Sequence, residues 1–242
     1  MRESELKTSL KQRIIIGSIA IIMVASMVVG YAMVIANGNK SSAQEQATID
    51  PAKVTEYEIA YRDQASNFKE ATAEQYAVFV NYLSDVKAYN ETSANESDLA
   101  TVDLKKGTGR ELTDSDTDYL AFYVGWCADE TVFDSSLDDA KNPSGFVKAI
   151  DASQGMIEGW RIGVIGMNLG GVREITVPGE LAYGSKMEIC GGYNKPLKFL
   201  VMPMAKEEPL SSASAKLDQA YQRMIYAENG IDYDALIKKT GN

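Results

Sequence analysis

Residues 119–136 read YLAFYVGWCADETVFDSS, and residues 155–167 read GMIEGWRIGVIGM. The first part of the earlier stretch, 119–127, is rich in aromatic and β-branched residues, which is typical of a strand. A second strand is predicted to begin at Val132, after a short charged turn. We interpret residues 156–167 of the later stretch as one short helix. Strands followed by a single helix indicate an α+β arrangement, around which the rest of the chain can be placed.

Further predicted strands flank these segments on both sides. Residues 98–104 (DLATVDL) precede a turn at 107–109, and residues 172–177 and 197–202 also have strand composition. Pro203 lacks a backbone N–H, so we expect the last strand to end there or to be irregular. Several antiparallel strands with one helix predict an α+β fold for this part of the chain.

Six short segments follow one another in a fixed order across this region: GTGRELTDSDTDYLAFYVGW, VFDSS, GMIEGWRIGVIGM, GGVREITVP, LAYG and PLKFLVM. In this order and spacing they resemble the FKBP family of prolyl isomerases over residues 100–207. The resemblance implies an antiparallel sheet wrapped halfway around one short helix, with an apolar pocket between them. We therefore expect an FKBP-like domain at 98–207.

The resemblance also implies which residues form the pocket. Trp160 would be its floor, the Tyr183 hydroxyl would bond a substrate carbonyl, and the backbone N–H of Ile157 would face the ligand. Phe146 lies near a further aromatic wall position. The other implied pocket residues are three aromatic walls, a polar carboxylate and an apolar residue before the helix: Tyr123, Phe133, Phe199, Asp134 and Met156.

The composition agrees with this chemistry. The chain contains no His, which excludes Ser-His-Asp and Cys-His catalysis and most zinc sites. Rotation of an X–Pro bond faces a barrier of about 18–20 kcal/mol, because amide resonance must be lost. The twisted amide is less dipolar than the planar one, so a dry aromatic pocket favours the transition state. This reaction needs no nucleophile, metal or cofactor, and we expect none.

Two functions from different classes follow from these features. The first is a peptidyl-prolyl cis-trans isomerase that assists the folding of extracytoplasmic proteins. The alternative is a peptide-binding chaperone or envelope assembly factor that keeps the fold with little or no turnover. In both cases the expected partners are proline-containing polypeptides, and the family resemblance adds macrolide inhibitors as ligands.

One loop departs from the family pattern. Residues 184–196 read GSKMEICGGYNKP, where the family often has a His and an Ile-Ile-Pro-Pro-like stretch. Only Ile189 and the chemistry of Cys190 could replace that stretch here. The resemblance implies that this loop covers the pocket. It also implies that Cys190 in the loop and Cys127 after the second strand lie at one end of the pocket. A disulfide is one interpretation, and a buried apolar role for Cys127 is the other.

Residues 14–36 form a run of 23 uncharged, mostly apolar residues. At 1.5 Å per residue a helix of this length spans about 34 Å, enough to cross a bilayer. Four basic residues precede it, so the positive-inside bias predicts a cytoplasmic segment at 1–13 and an extracytoplasmic, single-pass protein of the cell membrane. A signal peptide cut near Ala36 or Ala43 is the alternative, although the run is longer than the usual signal core.

The regions around the expected domain are polar or helical. Residues 37–50 read as a linker, and Asp50-Pro51 begins a predicted helical extension over 51–97, with a second helix at about 73–89. Residues 208–242 predict further helices, the last with Asp232 as its N-cap. We expect these amphipathic helices to pack on one another or on the domain; a peptide-holding or dimerising surface is the alternative.

The acidic charge of the chain excludes one class of partner. The formal net charge is −10, and residues 1–36 contain four basic and two acidic residues, so the remainder carries −12. A domain of this charge repels nucleic acid, and we expect no nucleic-acid partner.

Overall fold

The computed structural model describes residues 49–86, 89, 98–137 and 149–240. The predicted cytoplasmic segment at 1–13, the predicted anchor at 14–36, nearly all of the linker and Phe146 lie outside the described residues. None of the helices within the described ranges combines the length and the apolar character needed to cross a membrane. Thr72–Glu207 form one compact unit, and the described residues before Thr72 and after Glu207 form a second.

The first unit contains an antiparallel sheet. Its strands are β1 (Ala100–Lys105), β2 (Tyr119–Trp126), β3 (Val132–Ser135), β4 (Ile150–Asp151), β5 (Val172–Val177) and β6 (Leu197–Ala205). The strand order is β1-β5-β6-β2-β3, and β4 pairs with the start of β2. The described residues of this unit also form two α-helices, α2 (Ala73–Val80) and α3 (Glu158–Gly163). The predicted combination of an antiparallel sheet with one short helix after its first strands is confirmed.

Both faces of β2 are covered, which explains why its sequence is a continuous apolar run rather than an alternation. On one face, Tyr123 contacts Trp160 of α3, with ring centroids 5.6 Å apart. On the other face, Phe122 contacts Phe79 of α2, with ring centroids 6.0 Å apart. Seven of the eight residues of β2 are therefore buried.

Two glycines let α3 lie directly against β5. A Cβ atom on Gly159 would lie 2.2 Å from a methyl carbon of Val177, and one on Gly163 would lie 2.5 Å from a methyl carbon of Ile175. Real Cβ atoms do not approach other atoms this closely, so any larger residue would push the helix away from the sheet. The spacing of four residues places both glycines on the same helix face.

Arg173 of β5 holds the end of α3. Its guanidinium donates hydrogen bonds to the carbonyl oxygens of Gly163 (2.9 Å) and Ile165 (2.8 Å). On its other side the same group pairs with the Asp103 carboxylate from β1 (3.1 Å). The last carbonyls of a helix have no partner within the helix, and a cation at that end also interacts favourably with the helix dipole. Arg173 therefore joins β1, β5 and α3.

The second unit consists of helices. They are α1 (Pro51–Ala71), α4 (Leu210–Glu228) and α5 (Tyr233–Thr240). As predicted, the Asp50 carboxylate accepts a hydrogen bond from the Ala52 N–H (2.9 Å), and Asp232 accepts one from Ala235 at the start of α5 (3.1 Å). Helices α1 and α4 pack on each other through Tyr61 and Tyr221. The predicted extension over 51–97 thus contributes its first helix to this unit and its later residues to the first unit.

Several elements differ from their predicted bounds. The short helix expected at 156–167 spans only Glu158–Gly163. The helix expected at 73–89 ends at Val80 and is followed by a 3₁₀ turn at Leu83–Asp85, because the Phe79 and Tyr82 carbonyls accept bonds from residues three positions later. Strand β6 continues past Pro203 to Ala205. Pro203 lies beyond the last residue of β6 that pairs with β5, and its carbonyl accepts a bond from Gly170 (2.7 Å), so its missing N–H interrupts no ladder on that side.

The contact between α3 and β5 predicts a stability effect. Gly159→Ala should lower the free energy of unfolding by about 1–3 kcal/mol, because overpacking outweighs the better helix propensity of alanine. Denaturant unfolding of the variant and wild type measures the difference. Glu158→Ala, at the exposed neighbouring position, is the control and should change stability little. Wild-type stability of Gly159→Ala would show that the helix does not depend on this contact.

Candidate active site

Trp160 is the centre of an aromatic cluster between α3 and the sheet. It is 2% exposed. Its ring lies 5.6 Å from that of Tyr123 on β2 and 5.5 Å from that of Phe199 on β6, at interplanar angles of 81° and 76°. Edge-to-face pairs of this kind place the positive edge of one ring on the negative face of another. These contacts fix the position of the Trp160 ring against β2 and β6.

Phe133 extends the cluster to the edge of the sheet. Its ring lies 5.7 Å from that of Phe199 at an interplanar angle of 86°, and it is partly exposed. The two rings meet above Gly125 of β2, where a Cβ atom would lie 2.7 Å from the Phe133 ring and 3.1 Å from the Phe199 ring. Glycine at this position therefore leaves the space that the ring pair occupies.

The polar groups in the walls of the cluster are paired. The Tyr123 hydroxyl donates a hydrogen bond to one oxygen of the buried Asp134 carboxylate. The other oxygen accepts a bond from the backbone N–H of Ser135 (2.9 Å). A buried carboxylate without partners would be costly, and these bonds keep it in an otherwise apolar wall.

The indole N–H of Trp160 also has a buried partner. It donates a hydrogen bond to the hydroxyl of Tyr119 at the start of β2 (3.0 Å). Tyr119 is 2% exposed, and burial raises the pKa of its hydroxyl. This bond fixes the direction of the indole ring within its plane, in addition to the contacts on its faces.

The Tyr183 hydroxyl differs from the paired polar groups of the cluster. Burial, and after it the nearby Asp134 carboxylate, raise the pKa of Tyr183 to about 12, so the hydroxyl is protonated at neutral pH. No hydrogen-bond partner for this hydroxyl lies within the described part of the chain. Tyr183 follows a 3₁₀ turn at Gly179–Leu181 and is half-buried. A protonated, unpaired hydroxyl beside an apolar cluster can donate to a ligand carbonyl.

Met156 and Ile157 lead directly into α3. Ile157 is the N-cap of the helix, and its carbonyl accepts bonds from the N–H groups of Trp160 (3.0 Å) and Arg161 (3.1 Å). Both residues are half-buried. Both residues therefore lie at the start of the helix that carries Trp160, and their role at the pocket stays a prediction.

Contacts in the structure therefore join most of the expected site residues. Tyr123, Phe133, Asp134, Trp160 and Phe199 are linked by direct ring contacts or hydrogen bonds, and Tyr183 lies within electrostatic range of Asp134. Sequence reasoning missed Tyr119 and Gly125. The period of two along β2 could have indicated both, because they share a strand face with Tyr123.

A disulfide joins the loop at 184–196 to the sheet. Cys127, directly after β2, is bonded to Cys190, with their Cα atoms 5.5 Å apart. Of the two alternatives left open by the sequence, the structure has the disulfide. It connects the segment after Tyr183 to the end of the strand that carries Tyr123.

A family model and curated relatives indicate one family. The model of the FKBP-type peptidyl-prolyl cis-trans isomerases matches residues 109–202. An FK506-binding protein of Neisseria meningitidis is 36% identical over 88 residues, 36% of this chain and 76% of that protein. FK506-binding protein 4 of Chaetomium thermophilum is 40% identical over 84 residues, 35% of this chain and 16% of that protein. The solved structure of FkpA from Escherichia coli is 23% identical, with a TM-score of 0.38 over 74% of this chain and 80% of that chain.

The bond between Trp160 and Tyr119 predicts a measurable contribution. Tyr119→Phe should destabilise the first unit by about 1–3 kcal/mol, because the buried indole N–H loses its acceptor. Thermal or denaturant unfolding gives the stability, and tryptophan emission in a Trp126→Phe background reports the environment of Trp160. Tyr193→Phe, at a position that is 59% exposed, is the control. Unchanged stability and emission in Tyr119→Phe would contradict a role for this bond.

Proposed function

The chain belongs to the FKBP-type peptidyl-prolyl cis-trans isomerases, and we propose that it rotates X–Pro bonds in extracytoplasmic polypeptides to assist their folding. One observation carries the proposal. Trp160, with its own N–H already bonded, contacts the ring of Tyr123. The Tyr123 hydroxyl is bonded to Asp134, and the Asp134 carboxylate is close enough to raise the pKa of the Tyr183 hydroxyl. Such a site can hold an apolar proline ring and bind a neighbouring carbonyl at the same time.

The residues act on the amide by desolvation and by orientation. The ring of the substrate proline would lie on Trp160, between Tyr123 and Phe199, where water is excluded. Because the twisted amide is less dipolar than the planar amide, this surrounding stabilises the transition state relative to the ground state. The Tyr183 hydroxyl and the Ile157 N–H would donate to substrate carbonyls and hold one side of the bond while the other turns. Each such hydrogen bond would contribute about 1 kcal/mol to the stabilisation of the transition state.

Asp134 would act through its bond with Tyr123. The carboxylate accepts the hydrogen bond of the Tyr123 hydroxyl and so helps to hold that aromatic ring in place. It also places a negative charge near Tyr183, which adds to the rise in the pKa of that hydroxyl.

Two features support an extracytoplasmic location. The apolar run at 14–36, preceded by basic residues, has the composition of a membrane anchor with the rest of the chain outside. Cys127 and Cys190 form a disulfide. Disulfides persist in oxidising compartments and are rare in the cytosol. We therefore place the first unit outside the cell membrane.

The same pocket is a candidate site for macrolides. The relatives from Neisseria and Chaetomium carry FK506 binding in their names. We propose that FK506 occupies the aromatic floor in this chain as well and competes with proline-containing peptides. The loop at 184–196, which departs from the family pattern, would set how tightly it binds.

The assay that tests this function uses the full chain, a chromogenic proline-containing tetrapeptide, and FK506 as competitor. Tyr183→Phe and Asp134→Ala should each reduce kcat/KM by about fivefold or more. The first removes the donor for the substrate carbonyl, and the second removes the acceptor for the Tyr123 hydroxyl and the Ser135 N–H. Asp134→Asn, which retains an acceptor for Tyr123, should lose less than Asp134→Ala. Tyr193→Phe, at an exposed position in the loop at 184–196, should keep the wild-type kcat/KM.

Three outcomes of this assay differ in meaning. Loss of activity in the site variants with a folded domain supports the isomerase. Wild-type activity in both Tyr183→Phe and Asp134→Ala would mean that another site is responsible. Peptide binding without measurable turnover in the wild type would instead favour the peptide-binding chaperone.

Topology is tested in cells. A C-terminal tag should be cut by protease added to intact cells or spheroplasts, and the protein should fractionate with membranes, because an uncleaved apolar helix retains it there. A cytoplasmic protein of the same host is the control for lysis. Recovery of a soluble form that begins near Asn37 or Gln44 would establish signal cleavage, and a protected tag would contradict the proposed orientation.

A further inference from the structure

The loop at 184–196 is closed at its base by contacts that do not involve the disulfide. The Asn194 N–H donates a hydrogen bond to the Gly184 carbonyl (2.7 Å). Gly179 packs against Asn194 so closely that a Cβ atom there would lie 2.1 Å from the Asn194 carbonyl oxygen. Tyr183 lies directly before this closure. The backbone around Tyr183 is therefore anchored at the base of the loop.

The tip of the loop is held separately. Ile189 and Gly192 exchange backbone hydrogen bonds (2.9 and 3.1 Å), which form a tight turn, and Cys190 within that turn is bonded to Cys127. Ile189 is 5% exposed, whereas Tyr193 is 59% exposed. The turn thus buries an apolar side chain on one side and turns Tyr193 towards solvent.

The disulfide also determines where the tip lies. Cys127 follows the end of β2, two residues beyond Gly125, and Gly125 is the position on which the rings of Phe133 and Phe199 meet. The buried Ile189 is next to Cys190 in the chain. The tip is therefore held at the end of the aromatic cluster formed by Phe133, on the side away from the start of β2.

We propose that the Cys127–Cys190 disulfide is a specificity-determining cross-link, which holds Ile189 as an apolar wall for the substrate side chain that precedes the proline. The inference rests on the proposed isomerase function and concerns substrate affinity. Tyr183 and Trp160 are positioned by the loop base and by α3, so they do not require the cross-link. Without it the tip is free to move, and the wall for that one substrate side chain is lost.

The experiment compares two peptides on the full chain. In Cys127→Ala/Cys190→Ala, KM for a Leu-Pro tetrapeptide should rise about three- to tenfold, because an apolar side chain loses part of its burial. KM for the matching Gly-Pro peptide, which has no side chain at this position, should not change. The kcat for both peptides should stay within about twofold of wild type. Far-UV and near-UV circular dichroism establishes that the variant is folded.

A route without substitution checks the variant. Dithiothreitol, a dithiol, reduces the disulfide by exchange, so that Cys127 and Cys190 become thiols and the reagent becomes a cyclic disulfide. Reduced wild-type protein should show the same selective rise in KM, and the double-alanine variant should not respond to the reagent. Agreement between the two routes separates loss of the bond from any effect of alanine.

A substitution of Ile189 tests whether this side chain forms the proposed wall. Ile189→Ala should raise KM for the Leu-Pro peptide in the oxidised protein but have little further effect when the disulfide is absent, because residues that act as a unit are not additive. Tyr193→Ala, in the same loop and exposed, is the matched control and should change neither constant.

Three results overturn the inference. The first is an unchanged KM for the Leu-Pro peptide in the folded variant and in the reduced wild type. The second is an equal loss of kcat with both peptides, which would show that the bond supports the whole pocket while the isomerase function stands. The third is a wild-type chain with no turnover of either peptide, which would overturn the proposed function and this inference together.

Discussion

The close approach of α3 to β5 is the constraint on which the rest of the first unit depends. A helix of six residues is too short to be stable in water, so it exists only through its contacts with the sheet. Gly159 and Gly163 allow its backbone to reach Val177 and Ile175, and Arg173 accommodates its last carbonyls. Trp160 lies on the helix between these two glycines. The position of its ring in the aromatic cluster is therefore a consequence of the same contact.

A pocket that works by excluding water must also satisfy its own polar groups. An unpaired N–H or hydroxyl in the walls would attract water and weaken the apolar surface. The Trp160 N–H donates to Tyr119, and the Tyr123 hydroxyl donates to Asp134, so both polar groups have partners within the unit. Tyr183 differs, because its hydroxyl has no partner among the described residues and its raised pKa keeps it a donor. In the proposed site, the Tyr183 hydroxyl is therefore the group that would bond a ligand.

Local sequence patterns predicted every described strand except the two-residue β4, the caps at Asp50 and Asp232, and the short helix, because composition and spacing act over a few residues. The pocket residues came from the order of several motifs, since a single buried aromatic residue has no distinguishing signal. Contacts between distant segments were not predictable. Lys198 and Glu174 form an ion pair (2.9 Å) in which both side chains are only 5% exposed, whereas charged residues in a strand are normally expected to face solvent. The Lys198 ammonium lies over the ring of Tyr89, from another part of the chain, 5.2 Å from its centroid.

The disulfide shows the same limit and also what a cross-link adds to a binding loop. Two cysteines 63 residues apart could not be paired from sequence, because their Cα separation depends on the path of β2 and of the loop together. Once formed, the bond restricts the loop before any ligand arrives, and the base is closed independently by Gly184 and Asn194. A loop that must be ordered on binding reduces affinity by about 0.5–1.5 kcal/mol for each immobilised flexible side chain. A loop held at base and tip largely avoids this loss, so its contribution to recognition depends on which side chains it directs inward.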